Sequence, residues 1–138
     1  FVNRGANGID GQLSSWLGAT AETPDSWGVF GDLTTLYDLA APALFSQVEC
    51  RGRIIVVINN GGGQIFERLP RLSQLTKNQK EVIVQPLDFD LKGWAAMWGM
   101  DYLRIENREG FDALKAGGKA LLVELIPNYE ETAHFYAV

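Results

Sequence analysis

The chain has 138 residues, 46% of them hydrophobic and 21% charged, which suits one soluble globular domain and is short for a two-domain enzyme. Its net charge of -5, with no basic run, makes nucleic acid and anionic membrane surfaces poor candidate partners. No apolar run reaches the roughly 20 residues of a membrane span, and a single cysteine, Cys50, leaves no intrachain disulfide and points to a reducing compartment.

The chain opens on Phe1-Val2-Asn3-Arg4-Gly5 without an initiator Met, in what reads as the end of a short strand. We therefore expect residues 1–138 to be a single domain excised from a longer polypeptide. The glycine-containing turn Arg4 to Gly11 leads into a helix through Leu13, Trp16, Leu17 and Ala21. After the Thr23-Pro24-Asp25 turn, Trp27 to Phe30 reads as a buried strand feeding a helix that Asp32 or Thr34 can cap. That helix is expected over 35–47, bent or split by Pro42. Ile54-Ile55-Val56-Val57-Ile58 is the clearest strand, five β-branched residues without alternation, as in a central parallel strand buried on both faces.

Gln64 to Leu69 reads as a short helix, and 71–86 as an exposed polar connection. Helix 89–99, strand 102–105, helix 109–116 and strand 119–126 follow, with Pro127 onward as tail. Strands alternating with helices at this spacing predict an α/β fold: a three-layer, doubly wound, mostly parallel sheet with helices on both faces.

Two polar clusters then fall at carboxyl ends of strands, Gly31-Asp32-Leu33-Thr34 and Asn59-Asn60-Gly61-Gly62-Gly63, where open parallel sheets bind ligands. One carboxylate, one amide and a glycine-rich backbone are hard oxygen donors suited to octahedral Mg²⁺, with positions left for phosphate oxygens. Cys50, with one His in the whole chain to activate it, reads as inert, and His134 as a surface or packing residue.

The Gly-Asp start and Asn-Asn finish, separated by one helix and one strand, resemble the thiamin-diphosphate-binding signature. Leu33 in place of a final Gly, with the run Gly31 to Leu39, resembles one branch of that superfamily. This branch is 2-succinyl-5-enolpyruvyl-6-hydroxy-3-cyclohexene-1-carboxylate (SEPHCHC) synthase of menaquinone and phylloquinone biosynthesis. Asn3 to Gly11, and Asn59 to Phe66 with Leu69-Pro70 behind it, resemble the same family in order.

The resemblance implies the C-terminal, diphosphate-binding domain of a transferase that decarboxylates 2-oxoglutarate and adds the remaining unit to isochorismate in a Stetter-like conjugate addition. It implies Asp32, Asn60 and the Gly62 carbonyl as ligands of Mg²⁺, or Mn²⁺ in its place. Gly31 would border the diphosphate of thiamin diphosphate, Leu33 and Thr34 would offer it backbone or hydroxyl donors, and Ile9 would press on the cofactor, with Ile65 also beside it. Arg4 and Asn7, with Ile65, Phe66 and Leu69, would face the substrates. Two positions depart from the pattern: Asn7 stands where the family has Ser, and Gly61 where a third Asn is common.

No Glu here matches the residue that activates the cofactor, which the family draws from the N-terminal domain of a partner subunit. The isolated chain is therefore expected to be inactive, and the full-length protein to be a cytoplasmic homodimer or homotetramer, or a plastid stromal one in a plant. Alternatives are another thiamin-diphosphate decarboxylase or synthase, and a flavodoxin-like nucleotide-binding module.

Overall fold

A computed structural model describes residues 8–67, 69–72 and 74–136. Its centre is a four-stranded, all-parallel sheet in the order β1 (Trp27–Gly31), β2 (Ile54–Ile58), β4 (Leu121–Leu125), β3 (Asp101–Ile105). Helix α1 (Gln12–Ala19) precedes β1, and α2 (Asp32–Leu36) follows it. Beyond β2 come α3 (Gln64–Glu67), α4 (Lys77–Val84) and α5 (Leu91–Met97), and α6 (Tyr129–Tyr136) follows β4. The parallel α/β architecture anticipated from the sequence is the one observed.

Strand alternation divides the core in two. Ile55, Val57 and Leu122 form one cluster with Leu13, Trp16 and Leu17 of α1 and Leu91, Trp94 and Ala95 of α5. Ile54, Leu121, Val123 and Ile105 form the other, with Leu114 and partly buried strand residues packed against it. Over β1 this second face is open, since Trp27 and Val29 are 54% and 63% exposed. At the opposite end from the polar clusters, Arg53 is wholly buried. It donates to the Glu49 carbonyl (2.9 Å), Thr20 Oγ1 (2.5 Å) and the Thr20 carbonyl (2.8 Å), and its guanidinium stands 5.0 Å from the Trp16 ring centroid.

Several elements differ from the sequence expectation, each for a local reason. The helix expected over 35–47 is two pieces, α2 and a 3₁₀ turn Ala41–Ser46, because Pro42 cannot sit inside a continuous α-helix. Neither Asp32 nor Thr34 caps α2; Gly31 occupies the N-cap without a side-chain bond. The helix expected over 109–116 is a 3₁₀ turn, Arg108–Ala113. The tail contains α6, started by Asn128 Oδ1 accepting from Glu131 N at 3.0 Å.

The segment 71–86, expected as a connection, contains α4 with a full capping box. Thr76 Oγ1 accepts from Gln79 N at 3.4 Å, and Thr76 N donates to Gln79 Oε1 at 3.0 Å. Replacing Thr76 by Ala is expected to cost α4 about 1 kcal/mol. Hydrogen exchange across 77–84 should then accelerate several-fold while β2 and β4 keep their protection; unchanged exchange in α4 would show that tertiary contacts alone hold it.

Candidate cation and diphosphate site

Parallel pairing sets Gly31 beside Ile58, so the chain leaves β1 and β2 at adjacent points of one sheet edge. Asp32 sits there 3% exposed, and its carboxyl bridges the two exits. Oδ1 accepts from Leu33 N at 2.7 Å, and Oδ2 accepts from Gly62 N at 2.7 Å. Thr35, fully buried, closes the turn by donating from Oγ1 to the Gly31 carbonyl at 2.9 Å.

The facing loop depends on glycine where φ is positive. Gly61 has φ 84° and Gly62 φ 115°. A Cβ on Gly62 would overlap the Gln85 carbonyl oxygen and lie 2.9 Å from that of Val84. The end of α4 thus folds directly onto this loop, and Gly63 N donates to the Val84 carbonyl at 2.6 Å.

The Asn60 amide gives the edge its chemical character, because it serves either of two orientations. Nitrogen inward, it donates to Asp32 Oδ2 at 3.2 Å and to the Gly62 carbonyl at 2.6 Å. Oxygen inward, three oxygens converge at those same spacings, an arrangement that only a shared cation makes favourable. In an octahedron with 2.1 Å bonds, adjacent oxygens stand about 3.0 Å apart. The donor set therefore fits Mg²⁺ or a similar hard divalent ion. Among the described residues no group of three His, Cys, Asp or Glu offers a competing soft or carboxylate-rich site.

Ile9, Gly31 and Thr34 line a cleft of about 480 Å³ that runs along β1 with Gln12, Trp16 and Phe30 and does not include Asp32, Asn60 or Gly62. Leu33 lies against Asp32, its N–H already engaged there instead of facing outward as a donor. Ile65, Phe66 and Leu69 follow the glycine loop as exposed apolar side chains, 70%, 42% and 44% accessible. Arg4 and Asn7 lie outside the described residues. Burial pushes the Cys50 thiol up, away from a reactive thiolate, and His134 is exposed on α6.

Sequence reasoning passed over a second buried carboxylate, Glu124 of β4, 4% exposed. Its signal was present: one charge inside Leu121-Leu122-Val123-Glu124-Leu125. The Tyr102 hydroxyl donates to its Oε2. Burial, then that hydrogen bond and the Glu124 charge, push the Tyr102 phenol from 10.0 up to about 12.

A raised acid pKa means that the folded state holds its proton after the unfolded state has released it. The associated stability is complete below pH 10.0 and is lost as pH climbs toward about 12. Between about pH 9 and about pH 11, the urea midpoint of the wild type should fall further than that of Tyr102→Phe. Parallel declines would contradict the assignment.

Fold and edge together match a class: an α/β domain with the all-parallel sheet of the thiamin-diphosphate-binding type. Comparison with known proteins carries this further. The chain is 46% identical over 133 residues to the SEPHCHC synthase of Akkermansia muciniphila, covering 95% of this chain and 25% of that one. It is 37% identical over 141 aligned positions to the SEPHCHC synthase of Bdellovibrio bacteriovorus, covering 98% of this chain and 24% of the relative. The chain is a homologue of part of the SEPHCHC synthases, and it spans about a quarter of the length of the curated relatives it matches. No protein-family model matches it. Among the described residues no helix is long and apolar enough to cross a membrane.

Proposed function

We propose that this chain is the cation- and diphosphate-binding domain of a SEPHCHC synthase that uses 2-oxoglutarate and isochorismate in menaquinone or phylloquinone biosynthesis. The observation that carries this reading is the convergence of Asp32, the Asn60 amide and the Gly62 carbonyl at two adjacent strand ends, in a chain 46% identical to such a synthase. When bound, thiamin diphosphate supplies the carbanion chemistry of 2-oxo acid decarboxylation and carbon–carbon bond formation.

This chain's residues bind and shape the surroundings. Asp32, Asn60 and the Gly62 carbonyl hold Mg²⁺ or Mn²⁺, which neutralises the diphosphate within an otherwise acidic domain. Gly31, Leu33 and Thr34 border the diphosphate, and Ile9 presses on the cofactor from the neighbouring cleft. Ile65, Phe66 and Leu69, exposed in this domain, form an apolar wall that excludes water from the reacting carbons. By the family resemblance, Arg4 would offer a planar guanidinium to a substrate carboxylate, and Asn7 would face the substrates.

The activating glutamate comes from an N-terminal domain of the partner subunit, in a cytoplasmic homodimer or homotetramer. The domain alone is accordingly inactive. Full-length protein should form product from isochorismate and 2-oxoglutarate only with Mg²⁺ and thiamin diphosphate present. The pair at 100 times its dissociation constant should add about 2.7 kcal/mol of stability. Stabilisation by FMN or a nucleotide, with indifference to thiamin diphosphate, would refute the proposal.

A further inference from the structure

Among the described residues two carboxylates are buried, and the proposed cation site uses one of them, Asp32. The other, Glu124, has no role there. Its register sets it between Val57 of β2 and Arg104 of β3. Its side chain therefore shares a sheet face with residues two positions away on each neighbour, Tyr102 on β3 and Asn59 just past β2. Both reach it: Asn59 Nδ2 donates to Glu124 Oε1 at 2.7 Å, and the Tyr102 hydroxyl donates to Oε2. Arg104 stands at 3.9 Å with its guanidinium hydrogen-bonded to Glu106 at 2.6 Å, so it is a peripheral neighbour of Glu124.

The other end of the Asn59 amide is engaged as well, Oδ1 accepting from Gly61 N at 3.2 Å. Asn59 N donates to the Leu125 carbonyl at 2.9 Å, and Gly62 N to Asp32 Oδ2 at 2.7 Å. Gly61 and Gly62 have no side chains to restrict their backbone, so hydrogen bonds hold the turn that carries Asn60 and the Gly62 carbonyl. Asn59, tied at both ends, cannot swing toward a cation.

We infer that Glu124 is a positioning residue for the cation loop. It acts through Asn59, with Tyr102 holding its second oxygen, and keeps Asn60 and the Gly62 carbonyl aimed at the space beside Asp32. The inference rests on the proposed cation site, and it divides the asparagine pair: Asn60 ligates, Asn59 orients.

The test follows the thermal stability of full-length protein against Mg²⁺ concentration at fixed thiamin diphosphate. Wild type, Asp32→Ala, Glu124→Met, Glu124→Gln, Asn59→Ala and the Glu124→Met/Asn59→Ala double variant are compared. Wild type should show a saturable rise in Tm and Asp32→Ala none. Glu124→Met and Asn59→Ala should each raise the half-saturating Mg²⁺ concentration by about 10- to 100-fold. The double variant should go no further than either single one, because both changes break the same link. Glu124→Gln, whose carbonyl oxygen still accepts from Asn59, should return close to wild type. Should Glu124→Met fail to fold, Asn59→Ala carries the test alone. An equal drop in Tm at every Mg²⁺ concentration, with half-saturation unchanged, overturns the inference and leaves the cation site standing. A wild type with no Mg²⁺ response overturns both.

Discussion

Full-length protein carrying Asp32→Ala is expected to lose all stabilisation by Mg²⁺ and thiamin diphosphate, and its activity is expected to fall to background. The carboxyl has two jobs, and the substitution removes both. It is the charged member of the proposed cation set, and it accepts the Leu33 and Gly62 N–H groups at 2.7 Å each. Removing it leaves both donors without their acceptor, at about 1–3 kcal/mol each, so the unliganded protein should also melt earlier. Asp32→Asn distinguishes the two roles. Its side-chain oxygen can still accept one N–H, which returns part of the unliganded stability, while the lost charge keeps the cation response near zero. Differential scanning fluorimetry with and without Mg²⁺ and thiamin diphosphate reads both quantities. A wild-type cofactor shift in Asp32→Ala would falsify the ligand assignment.

The parts of this edge that could be read in the sequence are those encoded locally. Ile54 to Ile58 identifies a central strand by composition alone, and a polar cluster directly after such a strand must lie at the ligand-binding edge of a parallel sheet. Asp32 and Asn60 were legible for that reason, and Pro42 announced the break in the helix that follows β1.

Glu124 was not legible in its role, because its partners lie 65 and 22 positions away and meet it only through strand register. Its charge stood out in an apolar strand, but nothing local says which neighbours answer it. Helix α4 was passed over because its surface is polar and Val84 alone is buried along it. Thr76 and Gln79 spell a capping box, yet without an apolar stripe that signal reads as one more polar turn. The same helix proves to touch the site, since its last carbonyls receive the Gly63 N–H and crowd Gly62. The exposed connection of the sequence reading is thus a support for the cation loop.

That support makes Gly62→Ala the more disruptive of two apparently similar substitutions in the loop. Gly61 and Gly62 both have positive φ, 84° and 115°, so an alanine at either carries backbone strain. The space around them differs. A Cβ at Gly61 finds nothing nearer than Gln64 Nε2 at 4.0 Å, whereas one at Gly62 overlaps the Gln85 carbonyl oxygen. Relief by moving 84–87 would break the bonds from Gly63 N to the Val84 carbonyl (2.6 Å) and from Leu87 N to the Gly61 carbonyl (3.3 Å). It would also pull Gln85 from the Tyr37 hydroxyl, which donates to Gln85 Oε1 at 3.1 Å. Relief by turning the Gly62 backbone instead takes its N–H from Asp32 and its carbonyl away from the proposed cation position. Either route should lower stability by about 3 kcal/mol or more, from strain and a lost buried hydrogen bond together. Gly61→Ala should cost about 1–2 kcal/mol and keep its Mg²⁺ response. Urea midpoints and Mg²⁺ titrations of the two variants in full-length protein provide the comparison. Equal behaviour would mean that the contact between 84–87 and the glycine loop has no part in holding the Gly62 carbonyl toward the cation.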